Sequence, residues 1–125
     1  MEWAVVPEGF EKLLLWIQNR YNPTGGIIVT ENGCACPDTA KEEVVNDTFR
    51  ANYLKSYIAA MHRAIAQGAD VRGYYAWSFL DNNEWSYGYS KRFGLVWVDY
   101  ETQERVPKSS AQFLSEIIQT NALAE

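Results

Sequence analysis

The sequence is short of the residues that mark metal-binding, nucleic-acid-binding and membrane proteins. Its 125 residues include only two cysteines and one histidine, and the formal net charge is −5. The acidic balance argues against a nucleic-acid partner, because nucleic-acid-binding domains usually carry a basic patch. No apolar run approaches the roughly 20 residues that cross a bilayer, so we expect no membrane partner. These shortages favour an ordinary globular domain.

The two cysteines, Cys34 and Cys36, stand one residue apart and lack the second pair or clustered histidines of a zinc site. A disulfide across a single residue would be strained, so we expect two thiols in a loop. This use of cysteine favours a reducing compartment such as the cytoplasm, without fixing one. The single histidine, His62, lies within a helical pattern and is interpreted as structural. We expect neither a metal ion nor a cofactor.

What the chain has in abundance is aromatic and apolar residues, with 5 Trp, 8 Tyr and 5 Phe and 47% apolar residues. Apolar periodicity and turn residues predict an order of elements. That order is a helix from Pro7, a buried strand over 27–30, a polar loop over 33–43, a long helix capped by Asn46 and Asp47 and ended by Gly68, a strand over 71–78, a strand over 93–100 with a short hairpin partner at 105–107, and a last helix with a capping box of Ser109 and Gln112. The strand at 27–30 is almost continuously apolar, which predicts burial on both faces. A strand, a long helix and a second strand form a βαβ unit, whose strands are parallel.

Glu31 is the first candidate for chemistry, because it ends the buried strand at 27–30. A charge there must be paired or hydrated, and the C-terminal ends of strands are where α/β sheets place their sites. The next strand runs into a segment rich in carboxylates, amides and indoles, and glycoside hydrolysis needs two facing carboxylates. Spacing alone pairs Glu31 with Glu84 or Asp81. The alternative is that Asp81 and Glu84 are solvated loop residues.

Other side chains of the same segments suit a sugar. Trp77 and Trp85 offer flat faces on which a sugar ring can stack, although Trp77 is equally compatible with ordinary barrel packing. Asn32, Asn83 and Glu84 are candidate partners for sugar hydroxyls. The coincidence of these residue types after two successive strands favours a carbohydrate site over isolated structural roles.

At these residues the sequence resembles the glycoside hydrolase family 1 β-glucosidases. The resemblance runs through the chain in unbroken order over Trp3 with Pro7-Glu8-Gly9, Thr30-Glu31-Asn32-Gly33, Trp77-Ser78 with Asp81-Asn82 and Glu84-Trp85, Tyr87-Gly88-Tyr89, Arg92-Phe93-Gly94-Leu95, Val98-Asp99-Tyr100 and Pro107-Lys108-Ser109. It implies a (β/α)8 barrel and a retaining exo-β-glycosidase. Asn83 stands where the family pattern has an aromatic residue.

The resemblance also implies a role for individual residues. Glu31 would be the catalytic nucleophile that forms a covalent glycosyl intermediate. Glu84 would bind hydroxyls at the far end of the sugar, with Trp85 as its neighbour, which overrules the pairing of Glu31 with Glu84 as nucleophile and acid. Trp77 would be the floor under the sugar, with Phe93 nearby.

The family's acid/base residue lies in an Asn-Glu-Pro motif that this sequence does not contain. A full barrel also needs eight strands and at least ~200 residues. We therefore predict that residues 1–125 are the last quarter of a barrel domain, with two parallel barrel strands, three main helices and a short β-hairpin. It would act on a β-glycoside only together with an N-terminal remainder, and would be inactive alone. The alternative is a non-catalytic remnant that binds sugar or self-associates through its open sheet edges.

Overall fold

The computed structural model describes residues 3–36 and 41–123, leaving out the side chains of residues 42 and 43. Within these residues the chain forms four helices, four short strands and one turn of 3₁₀ helix. In chain order the elements are α1 (Pro7–Tyr21), β1 (Ile27–Asn32), α2 (Lys41–Val44), α3 (Thr48–Ala66), β2 (Val71–Ala76), the 3₁₀ turn (Trp85–Tyr87), β3 (Val96–Val98), β4 (Arg105–Pro107) and α4 (Ser109–Thr120). The two parallel strands, three main helices and hairpin that the sequence predicts are confirmed.

The βαβ unit consists of β1, α3 and β2. Strand β1 pairs with β2 in parallel, and α1 packs against α3. Ile27 and Val29 of β1 are buried with Leu14 of α1 and Ala64 of α3, forming one core cluster. A second cluster joins the loop after β1, the N-terminal half of α3 and the inner face of α4, with members that include Cys34, Tyr53, Tyr57, Leu95 and Leu114.

The predicted burial of β1 on both faces is wrong for this chain. Ile28 is 55% exposed and Thr30 is also exposed, whereas Ile27 and Val29 face the helices. The reason is that, among the described residues, the helices cover one face of this sheet only.

The pairing of β1 with β2 is irregular at two places. Near the start Ile27 pairs with Val71 and Ile28 with Gly73, so β2 advances two residues while β1 advances one, and the second irregularity reverses this offset. Val29 pairs with Tyr74 and Asn32 pairs with Ala76, so β1 advances three residues while β2 advances two. One extra residue therefore lies in β1 between these two pairs, which is the arrangement of a β-bulge. Bulges change the face on which the following side chains emerge, and Glu31 lies in this one.

Several predicted helix ends are confirmed. Pro7 begins α1, and Asn22 ends it in the left-handed conformation, with its N–H donating to the Gln18 carbonyl. Gly68 follows the last residues of α3 with φ +103°, a conformation that favours glycine.

The predicted caps at helix starts are wrong. Asp47 precedes α3 but its side chain does not cap that helix. Its carboxylate instead accepts hydrogen bonds from the hydroxyls of Ser109 and Ser110, at 2.9 and 2.6 Å, and pairs with Arg50. Ser109 is the first residue of α4, and Lys108, not Ser109, occupies the N-cap position. Contacts between α3 and α4 have replaced the local caps.

The remaining differences concern lengths. The region predicted as a polar loop contains the short helix α2, and residues 37–40 of that loop lie outside the described residues. The strand predicted over 93–100 is only three residues long, Val96–Val98. The backbone groups before it bond to other segments: the Arg92 carbonyl accepts from the Cys36 N–H, and the Leu95 N–H donates to the Ser78 carbonyl. The strand pairs with Arg105–Pro107 in the predicted antiparallel hairpin. Across the described ranges, every helix is too short or too polar to cross a membrane.

Candidate active site

An open groove of about 650 Å³ lies where β1 and β2 end. Its lining includes all six residues that the sequence marks as catalytic or sugar-binding, together with three others. The lining residues are Glu31, Asn32, Trp77, Glu84, Trp85 and Phe93, with Trp3, Gly33 and Tyr53. The six predicted residues, which are separated by up to 62 positions in the sequence, therefore meet at one edge of the sheet.

The carboxylate of Glu31 faces this groove. Glu31 is exposed and lies in the bulge at the end of β1. In a regular strand it would share the face of Ile27 and Val29, which is covered by helices. The extra residue turns it to the open side, where a substrate can reach it.

Gly33 makes the close approach of the two strand ends possible. The N–H of Trp77 donates to the carbonyl of Asn32 at 2.8 Å. A Cβ added to Gly33 would lie 1.7 Å from the Trp77 carbonyl oxygen, less than any side chain tolerates. Only glycine therefore permits the segment after Glu31 to lie directly against Trp77.

Asn32 is held by two tyrosines from different elements. Its Nδ2 donates to the Tyr53 hydroxyl at 3.1 Å, and its Oδ1 accepts from the Tyr74 hydroxyl at 2.8 Å. Burial is the main cause that raises the pKa of both tyrosine hydroxyls above the ordinary value, with neighbouring Tyr57 adding to the effect. Both hydroxyls stay protonated at neutral pH, so Tyr74 remains a donor.

The aromatic residues of the groove differ in exposure. Trp85 begins the 3₁₀ turn and is 87% exposed, whereas Trp77 is 36% exposed. Phe93 is buried, and its ring lies 5.8 Å from that of Trp3. Trp85 thus stands free at the rim while Trp77 forms part of the wall, which suits binding of a ring-shaped apolar surface.

Glu84 is buried, although it lies in a loop. Its backbone is fixed by a tight turn, in which its N–H donates to the Gly88 carbonyl at 2.7 Å and its carbonyl accepts from the Tyr87 N–H at 2.8 Å. The interpretation of Glu84 as a solvated loop residue is therefore wrong. A partly desolvated carboxylate in a groove is a strong acceptor for hydroxyl donors.

The suggested pairing of Glu31 with Asp81 is also wrong. The side chain of Asp81 is fully buried and forms ion pairs with Arg92 at 2.7 Å and Lys108 at 3.3 Å. It also accepts the Gly94 N–H at 2.8 Å. This carboxylate binds the segment 92–94 to the start of α4 and does not line the groove.

The thiols of Cys34 and Cys36 lie 4.0 Å apart without a disulfide, as the sequence predicts. Both are buried. The hydrogen bond with Cys36, followed by burial, raises the pKa of the Cys34 thiol, so it stays protonated. Within residues 3–36 and 41–123 no cluster of three or more His, Cys, Asp or Glu side chains is arranged to hold a metal ion.

Three groove residues, Trp3, Gly33 and Tyr53, were not predicted as site residues. Tyr53 has the spacing of a core residue of α3. The neighbouring sequence does not distinguish a buried tyrosine that lines a groove from one that only packs in the core. Trp3 precedes α1 in a family-like motif, and that motif was the available signal.

The arrangement matches known proteins along nearly the whole chain. The family model described as Glycosyl hydrolase family 1 matches residues 1–123. The chain is 44% identical over 126 residues to beta-glucosidase A of Thermotoga maritima, covering 100% of this chain and 28% of that protein. It is 50% identical over 123 residues to beta-glucosidase 4 of Oryza sativa subsp. japonica, covering 94% of this chain and 25% of that protein.

Solved structures agree in shape as well as in sequence. The family 1 β-glucosidase from Thermotoga maritima superposes with a TM-score of 0.93 at 43% identity, over 98% of this chain and 28% of that one. The same enzyme in complex with glucoimidazole gives 0.92 at 44% identity, over the same shares. The chain thus spans about a quarter of the length of the proteins that it matches.

Proposed function

The chain belongs to glycosyl hydrolase family 1, and from this premise we propose that it is the nucleophile-bearing quarter of a retaining β-glucosidase. The enzyme would remove terminal β-linked sugars through a covalent glycosyl intermediate. The observation that carries the proposal is the exposed carboxylate of Glu31, turned by the bulge into a groove with three indoles and a second carboxylate. We also propose that residues 1–125 belong to a single barrel domain.

Glu31 attacks the anomeric carbon of the sugar. Its carboxylate oxygen bonds to that carbon while the bond to the aglycone oxygen breaks, and an acid outside this chain protonates the leaving oxygen. Water then attacks the same carbon with the former acid acting as base, and Glu31 is released. The acid/base group of a retaining enzyme lies about 5–5.5 Å from the nucleophile. Glu84 and Asp81 do not take this role, since one is assigned to sugar binding and the other is held by two cations.

The other groove residues bind the sugar. Trp77 forms the wall against which the ring of the bound sugar packs, with Phe93 supporting the same side. Glu84 accepts hydrogen bonds from hydroxyls at the far end of the sugar, and Trp85 lies beside it at the rim. A sugar that lacks the matching hydroxyl would leave the buried Glu84 carboxylate without a hydrogen-bond partner, which is costly in free energy. This contact therefore contributes to discrimination between sugars.

The bare face of the sheet supports completion of the site by further β/α units. Ile28 of β1 and Tyr75 of β2 are 55% and 63% exposed, and Phe79, which follows β2, is 72% exposed, although all three are large and apolar. Exposed apolar surface beside unpaired strand edges favours association. We propose that the occupant of this face is the N-terminal remainder of the barrel, which carries the acid/base group; a second copy of this chain is the competing occupant.

The test uses a chimera in which this chain replaces the matching quarter of the Thermotoga maritima β-glucosidase A, alongside the isolated chain. The chimera should hydrolyse an aryl β-glucoside, and the isolated chain should not. A 2-deoxy-2-fluoroglucoside should label Glu31, as read by mass spectrometry of peptides. Glu31→Gln should abolish labelling and turnover, while Glu101→Gln, an exposed carboxylate in the hairpin turn, should leave both unchanged.

Two results would contradict the proposal. A label on any other residue would remove Glu31 from the nucleophile role. Turnover by the isolated chain would show that these residues contain their own acid/base group. Size-exclusion chromatography of the isolated chain decides between the occupants of the bare face, because a stable dimer that does not exchange with an added N-terminal portion would favour the second copy.

A further inference from the structure

We propose that Asn32 is a positioning residue and not a sugar ligand: its amide, clamped between the hydroxyls of Tyr53 and Tyr74, locks the bulge of β1 that aims Glu31 into the groove. This inference rests on the proposed role of Glu31 as nucleophile. It replaces the expectation, drawn from the residue type alone, that Asn32 binds a sugar hydroxyl.

The first step is the geometry of the bulge. Ile27 and Val29 point to the helices, so a regular alternation would send Glu31 to the helices as well. The structure instead has Glu31 exposed and Asn32 half-buried, with one extra residue in β1 before the Asn32–Ala76 pair. The exchange of faces between these two neighbours is what makes the carboxylate available.

The second step is that the clamp selects this exchanged arrangement. The Asn32 amide uses both of its functional atoms, with Nδ2 donating to Tyr53 at 3.1 Å and Oδ1 accepting from Tyr74 at 2.8 Å. In the regular alternation the amide would point away from both tyrosines, leaving their half-buried or buried hydroxyls without these partners. Loss of partners for buried polar groups opposes that arrangement.

The third step is that the tyrosines themselves are fixed. Tyr74 belongs to β2, whereas Tyr53 belongs to α3 and stacks on Tyr57 with ring centroids 4.2 Å apart. The hydroxyl of Tyr57 accepts the Val6 N–H at 3.0 Å, just before α1. The clamp therefore fixes the position of Glu31 relative to α3, β2 and the start of α1. The loop that follows Glu31 does not set this position.

The kinetic test compares Tyr74→Phe and Asn32→Ala with Tyr21→Phe in the chimera, at a temperature well below each melting point. Tyr21 is an exposed tyrosine of α1 and loses the same hydroxyl far from the groove. Misplacement of a reacting group by about 1 Å costs roughly 10²-fold in rate. We expect the saturating rate of fluoroglucoside labelling to fall about 10-fold in Tyr74→Phe and about 100-fold in Asn32→Ala, with the dissociation constant of glucose changed less than 2-fold. Tyr21→Phe should match the unsubstituted chain.

The outcomes separate the possible roles of Asn32. A weaker affinity for glucose with an unchanged saturating rate would make Asn32 a sugar ligand and overturn the proposal. A lower melting temperature with the labelling rate and affinity unchanged would leave it with a structural role only, which also overturns the proposal. If the unsubstituted chimera is not labelled at all, that result counts against the proposed function and not against this inference.

A second measurement keeps the inference testable on the isolated chain. Nitrogen relaxation by NMR should find the Asn32 side-chain amide and the Glu31 backbone amide as ordered as the centre of α3. Both should become mobile in a Tyr53→Phe, Tyr74→Phe double variant and remain ordered in Tyr21→Phe. An Asn32 amide that is already mobile in the unsubstituted chain, or a Glu31 amide that is unaffected by the double variant, would overturn the clamp.

Discussion

Gly33→Ala should disturb the groove more than any other single added methyl group near it. The new Cβ would lie 1.7 Å from the carbonyl oxygen of Trp77 and 2.8 Å from its carbonyl carbon. Side-chain carbons essentially never approach closer than 3.0 Å, so the two segments must separate by at least 1.3 Å, from 1.7 to 3.0 Å. Because both contacts are with backbone, no side chain can swing aside to relieve the clash.

The cost of that separation follows from what it breaks. The 2.8 Å hydrogen bond from the Trp77 N–H to the Asn32 carbonyl would be stretched beyond bonding distance, a loss of about 1 kcal/mol. Overpacking of a filled site adds about 1–3 kcal/mol. We therefore expect the free energy of unfolding to fall by about 2–4 kcal/mol. In the chimera, displacement of Trp77 relative to Glu31 should slow labelling by roughly 10²-fold.

The assay pairs urea denaturation of the isolated chain with the rate of fluoroglucoside labelling of the chimera, and Gly25→Ala is the matched control. Gly25 lies in the loop before β1, and an added Cβ there meets nothing within 4 Å. The control should keep its labelling rate and change its unfolding free energy by less than about 1 kcal/mol. If Gly33→Ala unfolds and labels like Gly25→Ala, the close approach of the two strand ends is not what Gly33 provides.

Three further predictions concern buried charges, alkaline pH and sugar affinity. Asp81→Asn should lower the unfolding free energy in urea by about 3–5 kcal/mol, because the half-buried Arg92 and the buried Lys108 both lose an ion pair with a buried carboxylate. Asp70→Asn, which breaks an exposed pair, should change it little, and equal effects would contradict the reasoning. Burial raises the folded-state pKa of Tyr53 and Tyr74 above the ordinary value of 10.0, so both are neutral in either state below pH 10 and only the unfolded chain ionises above it. Urea midpoints should therefore fall above pH 10, and less steeply in Tyr74→Phe, whereas a midpoint that rises with pH would show the opposite shift. Glu84→Gln should lower kcat/KM of the chimera for an aryl glucoside by about 10–100-fold, since hydrogen bonds to a charged group are worth about 1.5–3 kcal/mol. The labelled residue should stay the same. An unchanged kcat/KM would remove Glu84 from the sugar site.

Local pattern was sufficient for the three main helices, the two parallel strands and six of the nine groove residues. Pro7, Asn22 and Gly68 act on the backbone within a few residues, so the ends of α1 and α3 were predictable from residue types. The six predicted site residues follow two strands that a long helix makes parallel, and parallel strands place their C-terminal ends together. Their convergence on one groove is confirmed, while their individual roles stay predictions.

Contacts between segments distant in the sequence made other predictions from local rules wrong. The predicted caps at Asp47 and Ser109 follow a rule about neighbours in sequence, but these two side chains bind each other across 62 positions. Asp81 is a carboxylate of the type and position expected at an active site, and its ion pairs with the half-buried Arg92 and the buried Lys108 make it a structural group instead. The residues that neighbour Asp47 or Asp81 in the sequence do not indicate which distant side chain will bind it.

The sequence by itself determined that this chain has a Glu at the end of a parallel strand, within a set of ordered motifs typical of one family. It did not determine which way that Glu points. Alternation along β1 would bury Glu31 against the helices, and only the register with β2, which leaves one extra residue before Asn32, turns it into the groove. Register is a property of two strands and the side chains that clamp them, so the tertiary structure alone decided that the carboxylate is available for chemistry.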